Sequence, residues 1–228
     1  MLLRALLLFD FFSRVVLVEQ AISIRRHVNS IYTSCTWVLD GRWLVDCGDV
    51  EPLLSLLDGE NLLGVLLTHG HFDHIYGLNE LCKRFPDVRV YCSEWARRQL
   101  LDSKLNISFY HETPFVFDYP ERIVVVQDGD TVDMGDGNVV TAVATHGHTP
   151  GCITWMTDEA LFTGDAYIPG VRVVTNLPYG DKLKAASSVE KILSLADGRT
   201  ICPGHDVDPS LLATSITLTT NHPNRPLN

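Results

Sequence analysis

The sequence predicts a mixed α/β fold, and three observations lead to it. Short apolar runs of strand length alternate with helical segments along the 228 residues. No stretch rich in Pro, Gly or Ser divides the chain, and no repeat or low-complexity segment interrupts it, so one domain is expected. Several strand-like runs end in His or Asp after a small or turn-forming residue. A layered sheet protein needs such strand ends if its loops are to meet at one centre.

The elements follow in order. Residues 1–27 form an apolar N-terminal extension that can belong to the domain, and 28–228 are expected to hold the domain itself. Met1 to Phe12 is apolar but interrupted by Arg4 and Asp10. It is shorter than the roughly 20 residues a bilayer span requires. One basic residue, an acid inside the run and no clear small-x-small site make a leader or anchor the lesser reading. An added strand, helix or interface segment is preferred, and a cytoplasmic location is expected with no membrane partner. Strands are expected near 30–39, 42–47, 62–67, 88–92, 122–127, 137–144, 152–157, 159–163 and 199–202. Helices are expected near 51–57, 73–85, 93–102 and 183–196.

The most informative segment is Thr68-His69-Gly70-His71-Phe72-Asp73-His74. It follows the short apolar run Leu62-Leu63-Gly64-Val65-Leu66-Leu67, which reads as a buried strand. Three imidazoles and a carboxylate therefore sit at a strand's C-terminal end, on a loop leading into a helix. Nitrogen and oxygen donors of this kind suit zinc, and also iron or manganese. His69 and His71 are two apart and point the same way in an extended segment. Downstream come Thr145-His146-Gly147-His148-Thr149-Pro150-Gly151, then Phe162-Thr163-Gly164-Asp165, then Cys202-Pro203-Gly204-His205-Asp206.

In this order, His-x-His-x-Asp-His, Gly-His-Thr-Pro-Gly, Thr-Gly-Asp and Pro-Gly-His, the chain resembles the metallo-β-lactamase-fold hydrolase superfamily. Val38 to Asp49 looks like that family's opening hairpin, ending at an Asp-x-Gly beside the metals. The resemblance spans about residues 28 to 206. It implies an αββα sandwich of two mixed sheets flanked by helices. It implies two divalent metal ions, zinc first. His69, His71 and His148 would hold one, Asp73, His74 and His205 the other, with Asp165 bridging. Such ions lie about 3.5–4 Å apart and ionise a shared water near neutral pH. The implied reaction is attack of a metal-bridged hydroxide on a carbonyl ester, with Asp73 orienting it and passing a proton to the leaving atom.

His146 competes with His148 on sequence alone. The resemblance selects His148 and leaves His146 a contact near the site or a surface position. His27, His111 and His222 have no ligand partners nearby in sequence, so surface or structural roles are expected.

The substrate is less legible. Glyoxalase II enzymes carry a C-terminal helical domain with basic residues for glutathione. Here 23 residues follow His205 and Arg225 is their only basic residue, so a short glyoxalase II-like form is expected at most. Arg172, Lys182 and Lys184 follow Asp165 and either meet an anionic substrate or stay solvated. Acyl-homoserine-lactone lactonases share the seven ligands and a tyrosine shortly after the bridging Asp. Tyr167 stands in a similar place, where a phenol can donate to an oxyanion or leaving alkoxide. True β-lactamases usually lack the carboxylate bridge, and flavodiiron proteins have Glu at the position of His71. A thioester or lactone is therefore the expected small-molecule substrate. An iron-dependent persulfide dioxygenase and a metal-binding protein without catalysis are the alternatives.

A net charge of −10 repels phosphate backbones, so nucleic acid is not an expected partner. Six cysteines stand singly at 35, 47, 82, 92, 152 and 202 among apolar neighbours, and buried free thiols are expected. The oligomeric state stays open.

Overall fold

The computed structural model describes residues 7–9, 15–17, 21–59 and 61–208. Most of the apolar N-terminal run, His222 and Arg225 lie outside the described residues. Strands β1 (Leu7–Phe9) and β2 (Val15–Leu17) pair antiparallel. The rest forms two mixed sheets.

The first sheet has six strands in chain order. They are β3 (Ile24–Val28), β4 (Cys35–Leu39), β5 (Trp43–Val45), β6 (Gly64–Leu66), β7 (Arg89–Cys92) and β8 (Ile123–Val125). β3, β4 and β5 pair antiparallel, and β5 to β8 run parallel. The second sheet holds β9 (Thr131–Gly135), β10 (Asn138–Ala144), β11 (Ile153–Met156), β12 (Ala160–Gly164) and β13 (Thr200–Pro203). Its order is β13-β12-β11-β10-β9, antiparallel except for β12 with β13.

The period of two along each strand assigns the faces. Trp37, Leu39, Trp43, Val45 and Leu66 turn inward and meet Val140, Ala142, Trp155 and Phe162 of the opposite sheet. Val38, Leu44, Val65, Leu67 and Val90 turn outward under helices α1 (Val50–Leu54), α2 (Leu78–Arg84) and α3 (Glu94–Leu101). Leu161 and Ile201 turn outward on the other side, against Ile192 of α4 (Lys182–Leu195). The layers are therefore helix, sheet, sheet, helix. The central parallel strands read as unbroken apolar runs because both of their faces are covered.

Three indoles join the two sheets. Trp37 Nε1 donates to the carbonyl of Pro203 (3.0 Å), Trp43 Nε1 to Met134 (3.1 Å) and Trp155 Nε1 to Leu67 (3.0 Å). A buried N–H without a partner is costly, so each bond restricts how the sheets slide past each other.

Several expected boundaries shift, for local reasons. The strand expected from residue 30 begins at Cys35, because Tyr32 and Thr33 adopt positive φ in a turn. The helix expected over 73–85 is a 3-10 turn at Phe72–His74 followed by α2. Between them Gly77 presses against the carbonyl of Gly48, where a Cβ would lie 1.9 Å from that oxygen. β3 and β9 were not expected, since Ile-Arg-Arg-His-Val and Thr-Val-Asp-Met-Gly carry charges inside short strands. The domain's first sheet strand thus starts at Ile24, within the stretch read as an extension. All six cysteines are buried and free. Among the described residues no helix is long and apolar enough to cross a membrane.

Leu66 is fully buried between the sheets. Leu66→Ala should cost about 2–5 kcal/mol of unfolding free energy. Urea denaturation would read it, and a change below about 1 kcal/mol would contradict the inter-sheet packing described.

Candidate metal centre

Loops at strand C-terminal ends converge on one edge of the sandwich. β6 runs through Leu67 into Thr68 and the His69–His74 loop. β10 leads to His148, β12 to Asp165, and β13 to Gly204 and His205. Backbone hydrogen bonds lock these ends together, both within a sheet and between the sheets. Ile153 N donates to Thr68 O (2.8 Å), Cys35 N to Gly204 O (2.7 Å) and Gly204 N to Gly164 O (2.9 Å). Gly204 has no room for a side chain, since a Cβ there would sit 2.4 Å from Asp165 Oδ1.

The seven residues singled out in the sequence are brought together. His69, His71 and His148 form one group, and Asp73, His74 and His205 another, with candidate ligand atoms within 4.8 Å of one another in each. His71 Nδ1 and His148 Nε2 are 2.9 Å apart. His205 Nε2 lies 3.4 Å from Asp73 Oδ2, and His74 Nε2 lies 3.5 Å from it. Asp165 stands between the groups. Its Oδ1 is 3.4 Å from His74 Nε2, and its Oδ2 is 3.4 Å from His205 Nε2 and 3.5 Å from His148 Nε2.

The hydrogen bonds behind the rings define their tautomers. His148 Nδ1 donates to Val174 O (2.8 Å) and His205 Nδ1 to Tyr32 O (2.9 Å), since a carbonyl can only accept. His74 Nδ1 donates to Asp46 Oδ2 (2.9 Å). Thr68 Oγ1 donates to the same carboxylate oxygen (2.7 Å), which leaves it to accept from His69 Nδ1 (3.1 Å). When these four rings are neutral, each therefore turns a bare Nε2 lone pair inward. That is the support usually found behind metal-binding histidines.

Asp46 is the functional residue that sequence reasoning underweighted. It is 1 % exposed, adopts φ +58° and also accepts from Thr68 N (2.8 Å). Asp46, His69 and His74 form a third cluster, yet the Asp46 carboxylate faces Nδ1 of His74 and so lies behind the ring. Its signal was the Asp-x-Gly that closes the hairpin, a place where Asp tolerates positive φ better than most residues.

The electrostatics are mixed in sign. Burial drives the His71 imidazole down to about 3, with His148 adding to the fall. Burial and then His74 push His69 well below the usual range. For His74 burial acts in the same direction, but Asp73 and Asp165 outweigh it and hold the ring well above its ordinary value. His205 is raised against burial by its hydrogen bond to Asp165. Burial would raise the Asp165 carboxyl, but His74 and His205 hold it well below the carboxylate range. The site thus refuses protons on two rings and calls for positive charge beside its carboxylates. A divalent cation meets both demands, because it binds neutral imidazole and ionised carboxylate. His69 Nε2 and Asp165 Oδ1 are buried with no hydrogen-bond partner, as ligand atoms awaiting an ion would be. The residues present fit a metal centre.

The other singled-out residues are elsewhere. His146 is exposed beside α4, where its carbonyl accepts from Ser188 Oγ (2.6 Å). Tyr167, two residues after Asp165, is half-buried and packs against the apolar cluster of Leu161, Ala166, Ile192 and Ile201 under α4. His27 is buried near Asp49, and His111 packs on Phe72 with ring centroids 4.4 Å apart.

Metal-free protein should show a stability maximum near pH 6.5. Below it, unfolded His69 and His71 take protons that the folded rings refuse, down to about pH 3 for His71, so stability falls with falling pH. Above it, folded His74 and His205 keep protons that the unfolded chain releases, so stability falls with rising pH. Urea midpoints of chelator-treated protein at stepped pH test this, and His71→Asn should flatten the acid limb.

A family model described as the metallo-beta-lactamase superfamily matches residues 32–205. Among solved structures, the BLEG-1 B3 metallo-beta-lactamase is similar at 27% identity and TM-score 0.72, over 81% of this chain and 92% of that one. TTHA1623 in a di-iron-bound form is similar at 23% identity and TM-score 0.66, over 80% and 92%. ETHE1 from Myxococcus xanthus is similar at 24% identity and TM-score 0.62, over 83% and 78%. The last two likenesses speak for the fold. With two mixed sheets between helices, and His and Asp side chains gathered at the strand ends, the chain belongs to the metallo-beta-lactamase superfamily.

Proposed function

We propose that the protein is a metal-dependent hydrolase of carbonyl esters, with a small-molecule thioester or lactone as substrate. The observation that carries this reading is the position of Asp165. Its two oxygens reach His74, His205 and His148, so one carboxylate touches both imidazole groups. In this reading His69, His71 and His148 would hold one ion and Asp73, His74 and His205 a second, with Asp165 shared between them. Zinc is the proposed metal, with iron or manganese as the alternatives. Two such ions supply Lewis acidity and a water that ionises near neutral pH.

The chain's own residues do the rest. Asp46 and Thr68 keep His74 and His69 in the ligating tautomer. The carbonyls of Val174 and Tyr32 do the same for His148 and His205. Asp73 meets His74 and His205 through Oδ2, which leaves Oδ1 to orient the nucleophile and carry a proton to the leaving atom. Tyr167, two residues after Asp165, is the proposed donor to a developing oxyanion or leaving alkoxide. The net charge of −10 supports a small acyl compound over nucleic acid.

β-Lactam cleavage is a second reading, favoured by the likeness to a B3 metallo-beta-lactamase at 27% identity. Metal analysis joined to a panel of thioesters, lactones and a chromogenic β-lactam separates the two. A sulfite assay with a persulfide substrate tests the dioxygenase alternative.

Asp165→Asn should lose about one metal equivalent and lower kcat/KM by about 100-fold or more. Wild-type rates in that variant would remove the dinuclear reading. His148→Ala should lose metal while His146→Ala keeps it, as read by metal content per chain. Equal losses would reverse the choice between the two histidines.

A further inference from the structure

We propose that this centre takes substrates whose acyl part is apolar or aromatic, held between Tyr32, Phe109 and Tyr110 on one side and Val171 and Val174 on the other. This rests on the hydrolase reading and narrows its substrate class. All five side chains are large, apolar in bulk and exposed, from 45 % at Val174 to 60 % at Tyr32. Single exposed apolar residues are ordinary, but a group of them around a polar centre marks a ligand groove.

The grouping is built by contacts to the candidate ligands themselves. Tyr32 supplies the carbonyl that fixes His205, and Val174 the carbonyl that fixes His148. The third segment is tied in beside His71, where Phe72 N donates to Asn106 O (2.9 Å). Ring contacts continue outward from there. His111 packs on Phe72 at 4.4 Å, Tyr110 stacks on His111 at 4.8 Å, and Phe109 meets Tyr110 edge-on at 5.4 Å. Burial, then the Tyr32 phenol and the Asp73 charge, push the Tyr110 hydroxyl above its ordinary value. Tyr32 therefore belongs to the segment beside His205, and Val174 to the segment beside His148.

Charge argues in the same direction. Residues 30–34, 106–111 and 171–175 contain one side chain that is charged at neutral pH, Arg172. A carrier bearing several carboxylates or phosphates finds a single cation in these segments. An apolar acyl group finds rings and branched aliphatic side chains to displace water from.

Zinc-loaded protein assayed with acetyl, octanoyl and phenylacetyl thioesters of N-acetylcysteamine tests the proposal. The octanoyl or phenylacetyl ester should exceed the acetyl ester in kcat/KM by about tenfold or more, and Phe109→Ala and Tyr110→Ala should each cut that ratio below about threefold with zinc content retained. Equal kcat/KM for the three esters, or a ratio that neither variant changes, overturns it. If no ester is turned over, the thioester branch of the hydrolase reading fails and calorimetry still reads the wall. Phenylacetate should then bind about tenfold more tightly than acetate and weaken in Tyr110→Ala, and equal binding of the two acids overturns the proposal.

Discussion

The centre depends on one buried carboxylate. Asp46 receives the Thr68 amide, the Thr68 hydroxyl and the His74 imidazole, and through Thr68 it also sets His69. A buried carboxylate needs several donors to stay buried, and here each donor belongs to the loop that carries the imidazoles. Stabilising the acid and aligning the ligand loop are therefore the same set of bonds. Asp46 sits at the end of β5 in a positive-φ conformation, which turns its side chain under the end of β6 instead of continuing the strand pair.

The sandwich gives that carboxylate a fixed frame. Trp155 bonds to Leu67, one residue before Thr68, and Trp37 bonds to Pro203, two residues before His205. Core packing and loop placement are joined at these points. The two sheets cannot shift without moving the histidines, which suits a site where small displacements matter.

The charge pattern shows why an ion suits this place. His69 and His71 lie too deep to hold protons, while Asp73 and Asp165 draw positive charge toward His74 and His205. Protons answer only the second need. The proposed apolar lip follows from the same arrangement, because the carbonyls that orient His205 and His148 belong to segments whose side chains face outward.

The amino-acid sequence by itself determined the fold class and which side chains gather at the strand ends. Unbroken apolar runs such as Leu62–Leu67, each followed by a small residue and a His or Asp, are local patterns that survive without tertiary knowledge. The tertiary structure alone decided three other matters. Arg26 and His27 lie in a buried edge strand because neighbouring strands and the Asp206 carboxylate enclose Arg26, which no local propensity reports. Asp46 acts behind the ring of His74 because a positive φ redirects it across 28 residues of sequence. Tyr167 packs against Leu161, Ala166, Ile192 and Ile201 because α4 covers that side of the sheet. In each case the side chain's role follows from what long-range packing places beside it, and strand period and residue type carry no information about that.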